Sequence, residues 1–343
     1  MSFLRNNFFI KLKSWEYWPF GIIQAPVFVL WIWYALKERS LFYFSASNPS
    51  ILSGGMMGES KWDVMKLIPD SVKPKTILIK FPATTPQVLS AIEAAGLSLP
   101  VIFKPDIGER GWLVRKIKSV ADIDQYLAEI KIDFIVQEFV NLPLEYGVYY
   151  VRFPSQPTGF INSITGKIFL SVTGNGSKNL KQLILEKDRA KLQWKTLKQV
   201  YATRLEEVIP QGKEVELVSI GNHCLGTTFI NCNYLITEKL TASFDKISKQ
   251  IDGFYFGRFD LRCASEADLE AGQIKIMELN GCGAEPAHIY HPGASLLKGM
   301  GTIIRHWKNL YRVSNENHKR GVPYLSYQEG KRIYYAFKKI KSM

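Results

Sequence analysis

Two short runs carry the side chains best suited to chemistry: residues 257–262 (GRFDLR) and 274–281 (IKIMELNG). In a strand, side chains two apart share a face, so Glu278 pairs with Asn280 and Arg258 pairs with Asp260. Both pairs are embedded among apolar residues such as Phe259, Leu261, Ile276 and Leu279, and an unpaired carboxylate is costly there. Divalent cations would remove that cost, because Asp, Glu and Asn supply the oxygen ligands that Mg²⁺ takes together with substrate phosphates. An arginine beside them suits a transferring phosphoryl group. The other reading of the same pattern is a pair of edge strands with solvated polar faces.

A second group lies upstream. Lys104 ends an apolar run (PVIFKP) and is followed by DIGERGW, where Gly108 and Gly111 bracket Arg110. A strand-borne ammonium and the backbone N–H groups of a glycine-containing loop both suit polyphosphate. Residues 135–140 (IVQEFV) then end in Glu138, Phe139 and Val140, with Glu145 close behind. Such a run can offer backbone to an adenine edge and a carboxylate to a ribose hydroxyl.

These residues need strands to hold them, and the pattern predicts strands at 75–81, 99–104, 134–140, 146–153, 256–261 and 274–279. A hairpin is expected over 161–172, turning at Thr165-Gly166. Helices are expected at 85–95, capped by Thr85, and at 121–130, 180–199 and 240–251. The alternation argues for mixed α/β or α+β layers. Residues 45–63 read as a Gly/Ser-rich loop.

In order and kind, these motifs resemble the ATP-grasp superfamily, within it the D-alanine–D-alanine ligase-like and cyanophycin-synthetase-like branch. The resemblance runs from about Glu59 to Pro292. It implies an α+β fold of two lobes with ATP between them. It also implies Asp260, Glu278 and Asn280 as ligands for two Mg²⁺ ions, with Arg258 and Lys104 at the phosphates. Lys61 resembles the family's first nucleotide lysine. Gly108, Arg110 and Gly111 form the phosphate loop, Glu138, Phe139 and Val140 the adenine hinge, and Glu145 the ribose carboxylate. Residues 173–183 (TGNGSKNLKQL) look like the glycine turn of cyanophycin-synthetase-like members. The implied activity is a carboxylate–amine ligase, or less directly a thiol ligase, working through an acyl-phosphate. A kinase on the same fold and a decayed nucleotide- or lipid-binding protein are the alternatives.

The chain departs from that family at both ends of the site. Only about 60 residues precede Lys61, where a full α/β domain is usual. After Asn280 the sequence GCGAEPAHIYHP makes Glu285, His288 and His291 candidates for substrate binding, with Asn222 and His223 upstream. The expected divisions are an apolar segment at 1–60, lobes at 61–150 and 151–310, and a basic tail at 311–343.

Composition bears on partners. The 343 residues are 46% hydrophobic and carry a net charge of +13, which favours anionic partners. The charge is dispersed and no nucleic-acid motif occurs, so no nucleic-acid partner is expected. Four cysteines without zinc spacing or paired motifs fit reduced thiols in a reducing compartment, and equally a secreted protein with few bridges. Residues 17–36 carry no charge, approach the ~20 residues of a membrane span, and are flanked by Lys11, Lys13, Lys37 and Arg39. Spanning or dipping into a bilayer, lying in its interface, and packing on the protein are the three readings. Residues 331–343 hold five Lys/Arg among aromatics, as a lipid-facing helix does. The expected place is the cytoplasmic face of a membrane, with a soluble cytoplasmic protein as alternative.

Overall fold

The structure is a computed structural model and describes residues 6–109, 111–218, 221 and 223–341. The first sheet holds β1 (Thr76–Ile79), β2 (Val101–Pro105), β3 (Arg115–Ile117) and β4 (Phe134–Glu138), in the antiparallel order β1-β4-β2-β3. Helices Thr85–Ala94 and Val120–Glu129 cover it, burying Val88, Ile92, Ile123 and Tyr126 against Phe103 and Phe134. Each starts in a reciprocal cap: Thr84 with Gln87, and Ser119 with Asp122. The first cap is therefore Thr84, one residue before the Thr85 expected.

The chain passes to a second sheet over residues 139–143. Its strands are β5 (Leu144–Val151) and β6 (Phe160–Ile168), then, after a separate ribbon of β7 (Leu170–Thr173) and β8 (Glu214–Val218), β9 (Thr228–Asn231), β10 (Phe256–Cys263) and β11 (Lys275–Asn280). The order is β11-β10-β5-β6-β9, antiparallel throughout. Helix Glu238–Lys249 seals one face through Leu240, Phe244 and Ile247 against Val148 and Phe259. The two-lobed α+β plan implied by the sequence is thus present.

Four local expectations need correction. The hairpin expected at Thr165-Gly166 is instead the middle of β6. Both its edges are hydrogen-bonded, so β5 and β9 hold the pair extended. The single helix expected over 180–199 breaks into Leu180–Glu186, Asp188–Leu192 and Trp194–Val200. The 24-residue helix Leu296–Lys319 was not foreseen. Finally, residues 17–36 do not form one span. They divide into Phe20–Ile23 and Ala25–Glu38, with Pro26 in the first turn of the latter, and no described helix is long and apolar enough to cross a membrane.

The apolar arm instead packs by one face on the long helix. Tyr34 stacks on Tyr311 with ring centroids 4.0 Å apart, and Ile23 and Val27 bury against Ile289 and Ile303. Its other face stays open: Phe28, Val29, Ile32, Trp33 and Leu36 are all at least half exposed. The basic C-terminal segment is the helix Tyr327–Lys341, with Gly330 lying against Phe42.

Candidate active site

β10 and β11 pair Arg258 with Asn280 and Asp260 with Glu278, while β5 sets Gly147 opposite Asp260. Directly opposed residues point the same way, so all four polar side chains share one sheet face. Gly147 leaves the space they need, since a Cβ there would lie 3.1 Å from both Arg258 Cδ and Asp260 Oδ1.

Asp260 is buried and densely bonded. Arg258 donates from Nε to Oδ1 (3.0 Å) and from Nη2 to Oδ2 (2.9 Å). Asn280 Nδ2 donates to Oδ2 (2.9 Å), and Lys167 Nζ lies 3.2 Å from Oδ1. Burial raises the carboxyl's pKa, but Arg258 and Lys167 outweigh it and hold the group at about 2. Lys167 also pairs with Glu145 Oε1 at 3.2 Å, and Arg262 Nε donates to Glu145 Oε2 at 2.9 Å.

Lys104 reaches this face from the first sheet. Its Nζ donates to Gln137 Oε1 (2.7 Å) and to the Met277 carbonyl on β11 (3.2 Å). Burial lowers its pKa to about 8 against the opposing pull of Glu278. Lys61 opens the helix Lys61–Leu67, capped by Ser60, and its Nζ donates to the Gly108 carbonyl (2.5 Å). Asp106 fixes that junction by accepting from Ser60 Oγ (2.9 Å) and Trp62 N (2.8 Å). Gly108 and Gly111 both have positive φ, at 157° and 74°. Glu138 ends β4 exposed and accepts from Lys75 N, Phe139 lies under Lys116 Nζ, and the Val140 carbonyl accepts from Arg262.

The loop after β11 joins the set through Arg258, whose Nη1 donates to the Glu285 carbonyl (3.1 Å). The Glu285 carboxylate accepts from Gln24 of the arm and from Tyr290 OH. His288 is largely buried, its pKa is pushed down to about 4, and its Nδ1 has no hydrogen-bond partner. His291 is exposed and turned to Asn231 N, and His223 pairs with Glu16 (2.8 Å), so neither contacts the Asp260 group directly. Arg110 and Asn222 lie outside the described residues.

The sequence reading missed three buried or half-buried members: Lys167, Arg262 and Gln137. Arg262 was findable, being the next residue on the face already carrying Arg258 and Asp260. Lys167 was hidden by the misread turn one residue before it.

Among the described residues no three His, Cys, Asp or Glu side chains form a ready metal cage. The donors present fit Mg²⁺ in kind, all being oxygen. Glu278 and Asn280 Oδ1 have free capacity, neither accepting a hydrogen bond among the described residues, whereas Asp260 is occupied.

No protein-family model matches the chain, and no curated protein matches it either. Among solved structures it is similar to a D-alanine–D-alanine ligase from Bacillus anthracis, at 12% identity and a TM-score of 0.43, covering 82% of this chain and 72% of that one. It is also similar to the VanG D-Ala:D-Ser ligase from Enterococcus faecalis, at 14% identity and 0.42, covering 76% and 62%. A third is a bifunctional glutathione synthetase from Pasteurella multocida, at 14% identity and 0.37, covering 75% of this chain and 38% of that one.

Proposed function

We propose that the chain is an ATP- and Mg²⁺-dependent ligase that joins a carboxylate to an amine by way of an acyl-phosphate. One observation carries this reading. Lys104 from the first lobe touches β11 beside Glu278, on the face where Arg258, Asp260 and Asn280 meet. A triphosphate between Lys61, Lys104 and that face would lie among two ammonium groups, a guanidinium and oxygen donors.

In this reading Glu145 and the Glu138–Val140 edge receive the nucleoside. Lys61 and Lys104 orient the phosphates, and Arg258 neutralises charge that develops on the transferring group. Mg²⁺, held by Glu278 with Asp260 and Asn280, supplies electrostatic stabilisation of the phosphoryl oxygens when bound. A substrate carboxylate attacks the γ-phosphorus and ADP leaves. The amine then attacks the acyl carbon, loses a proton and displaces phosphate. Glu285, whose carbonyl accepts from Arg258, and His288 in the same loop would meet the acceptor.

The test is product analysis on the purified full chain in mild detergent with ATP, Mg²⁺ and pools of amino acids, peptides and lipid headgroups. A ligase releases phosphate only when carboxylate and amine are both present, and Asp260→Asn should lower turnover at least about tenfold while the protein stays folded. Phosphate retained on a single acceptor would make the protein a kinase and reject the ligase.

The open face of Ala25–Glu38 supports a second part of the reading, in which the protein works on an anionic bilayer at the cytoplasmic face. The stripe from Phe28 to Leu36 carries Trp33 and ends beside Lys37 and Arg39, and the net charge of +13 complements acidic headgroups. Free cysteines among the described residues support the reducing compartment.

A further inference from the structure

A carboxylate that the reading above leaves unused sits at the edge of the site. Glu59 lies in the linker between the apolar arm and the first lobe, one residue before the cap of Lys61–Leu67. The linker is pinned to the end of β11: Cys282 N donates to the Gly54 carbonyl and Gly283 N to the Gly55 carbonyl, both at 2.9 Å. Two glycines make this contact possible, for a Cβ on Gly55 would come 2.6 Å from Gly281 Cα. The chain then runs four residues to Glu59, close enough to Lys61, Glu278 and Glu109 for their charges to act on it.

Glu59 Oε2 is fully buried and has no hydrogen-bond partner. Glu278 on β11, whose charge acts on Glu59, also accepts no hydrogen bond among the described residues. Two underused carboxylates beside the expected path of a polyanion repel one another and the nucleotide. Lys61 offsets this only in part, since its Nζ is drawn to the Gly108 carbonyl. Asp260 cannot fully serve a cation either, with both oxygens held by Arg258, Asn280 and Lys167. A small hard cation between Glu59 and Glu278 satisfies both groups at once.

We propose that Glu59 is an oxygen ligand for a divalent cation shared with Glu278, one of those that accompany the nucleotide triphosphate. This rests on the ligase reading and adds to it a ligand from outside both sheets. The linker thereby becomes part of the metal site, and its position is coupled to nucleotide binding.

The test is Mn²⁺ titration of the full chain by electron paramagnetic resonance, with and without a non-hydrolysable ATP analogue. Glu59→Gln should weaken Mn²⁺ binding by about tenfold or more, Glu59→Asp should restore part of it, and Asp63→Asn, exposed on the adjoining helix, should bind as wild type does. Thermal unfolding separates a ligand from a structural residue. Without metal, Glu59→Gln should melt at or above the wild-type temperature, because a buried unpaired charge is removed. The rise in melting temperature on adding Mn²⁺ should shrink. Unchanged Mn²⁺ affinity in Glu59→Gln overturns the proposal, including the case in which the variant instead needs more amine, which would make Glu59 an acceptor-binding group. The ligase reading fails separately, if Mn²⁺ and nucleotide bind but phosphate release never depends on an amine.

Discussion

Buried charge in this protein is arranged so that most groups answer one another. Asp260 and Glu145 share Lys167, whose side chain is only 7% exposed, and Arg258 and Arg262 complete the pairs. Removing one partner of such a network leaves a carboxylate short of compensation in a low-dielectric place. Lys167→Met is therefore expected to cost about 3 kcal/mol in denaturant unfolding, the low end for a buried pair because each carboxylate keeps an arginine. A loss under about 1 kcal/mol would mean the network is solvated. His306 is the contrasting case. It is buried between Tyr149 and Phe256, and burial pushes its pKa down to about 3. The unfolded imidazole titrates near about 6.5, so between those values the unfolded chain binds a proton that the folded chain does not. Stability is complete above about pH 6.5 and is lost as pH falls. His306→Phe removes that loss, and the difference in unfolding free energy between about pH 7.5 and about pH 5.5 should shrink by about 1.4 kcal/mol. An unchanged difference would mean the folded ring is protonated. That Arg258, Asp260 and Glu278 share one sheet face was legible, because charge among apolar strand residues is unusual. The partnership with Lys167 was not, because it depends on which strands are neighbours.

At the scale of elements, the same residue type served two purposes that sequence alone does not separate. Thr165-Gly166 reads as a turn, yet Gly166 is in a strand because Ile230 and Cys232 of the neighbouring strand and its continuation approach it too closely for a side chain. Gly54-Gly55 reads as loop; it ends the short 3-10 turn Leu52–Gly55, and its task is contact with Gly281–Gly283 at the end of β11. Both positions are left-handed, with φ of 68° and 79°. Gly55→Ala is thus strained by its backbone and by its clash with Gly281. It is expected to cost about 1–3 kcal/mol in thermal or denaturant unfolding. It should also weaken Mn²⁺ binding, because the linker that carries Glu59 must move off β11. Wild-type stability with wild-type metal binding would mean that the linker holds Glu59 without this contact. The long strands β5, β10 and β11 were largely legible, since their apolar alternation is strong. The short β8 and β9 were not, because four or five residues carry too little periodicity to stand out from loop.

For the whole molecule, the question is why a chain with two packed lobes leaves five large apolar side chains open on one helix. The inner face of Ala25–Glu38 is fully used, with Tyr34 and Ala35 buried against the long helix. The outer stripe at positions 28, 29, 32, 33 and 36 follows helical spacing, so it forms one surface rather than scattered exposure. The sequence disclosed the apolar character of this arm but not its two-sidedness, which depends on a partner helix some 260 positions further on. In the proposed membrane reading, a bilayer interface would cover the stripe without requiring a span. Each large side chain moved from water into lipid contributes about 1.5–3 kcal/mol, and each neighbouring Lys or Arg adds about 1 kcal/mol on acidic lipid. Wild-type protein should sediment with vesicles containing phosphatidylserine, and less so with purely zwitterionic ones. Phe28→Glu with Trp33→Glu replaces two anchors by charges that acidic headgroups repel, so binding should fall more than tenfold while the melting temperature is unchanged, both positions lying on the open face. Because Gln24 and Trp15 of the same arm donate to Glu285 and to the Ala294 carbonyl, docking the arm would also bring the loop after β11 towards the lipid. If the double variant binds vesicles as wild type does, the stripe is not the lipid-facing surface, and a second copy of the chain becomes the occupant to examine by sedimentation equilibrium.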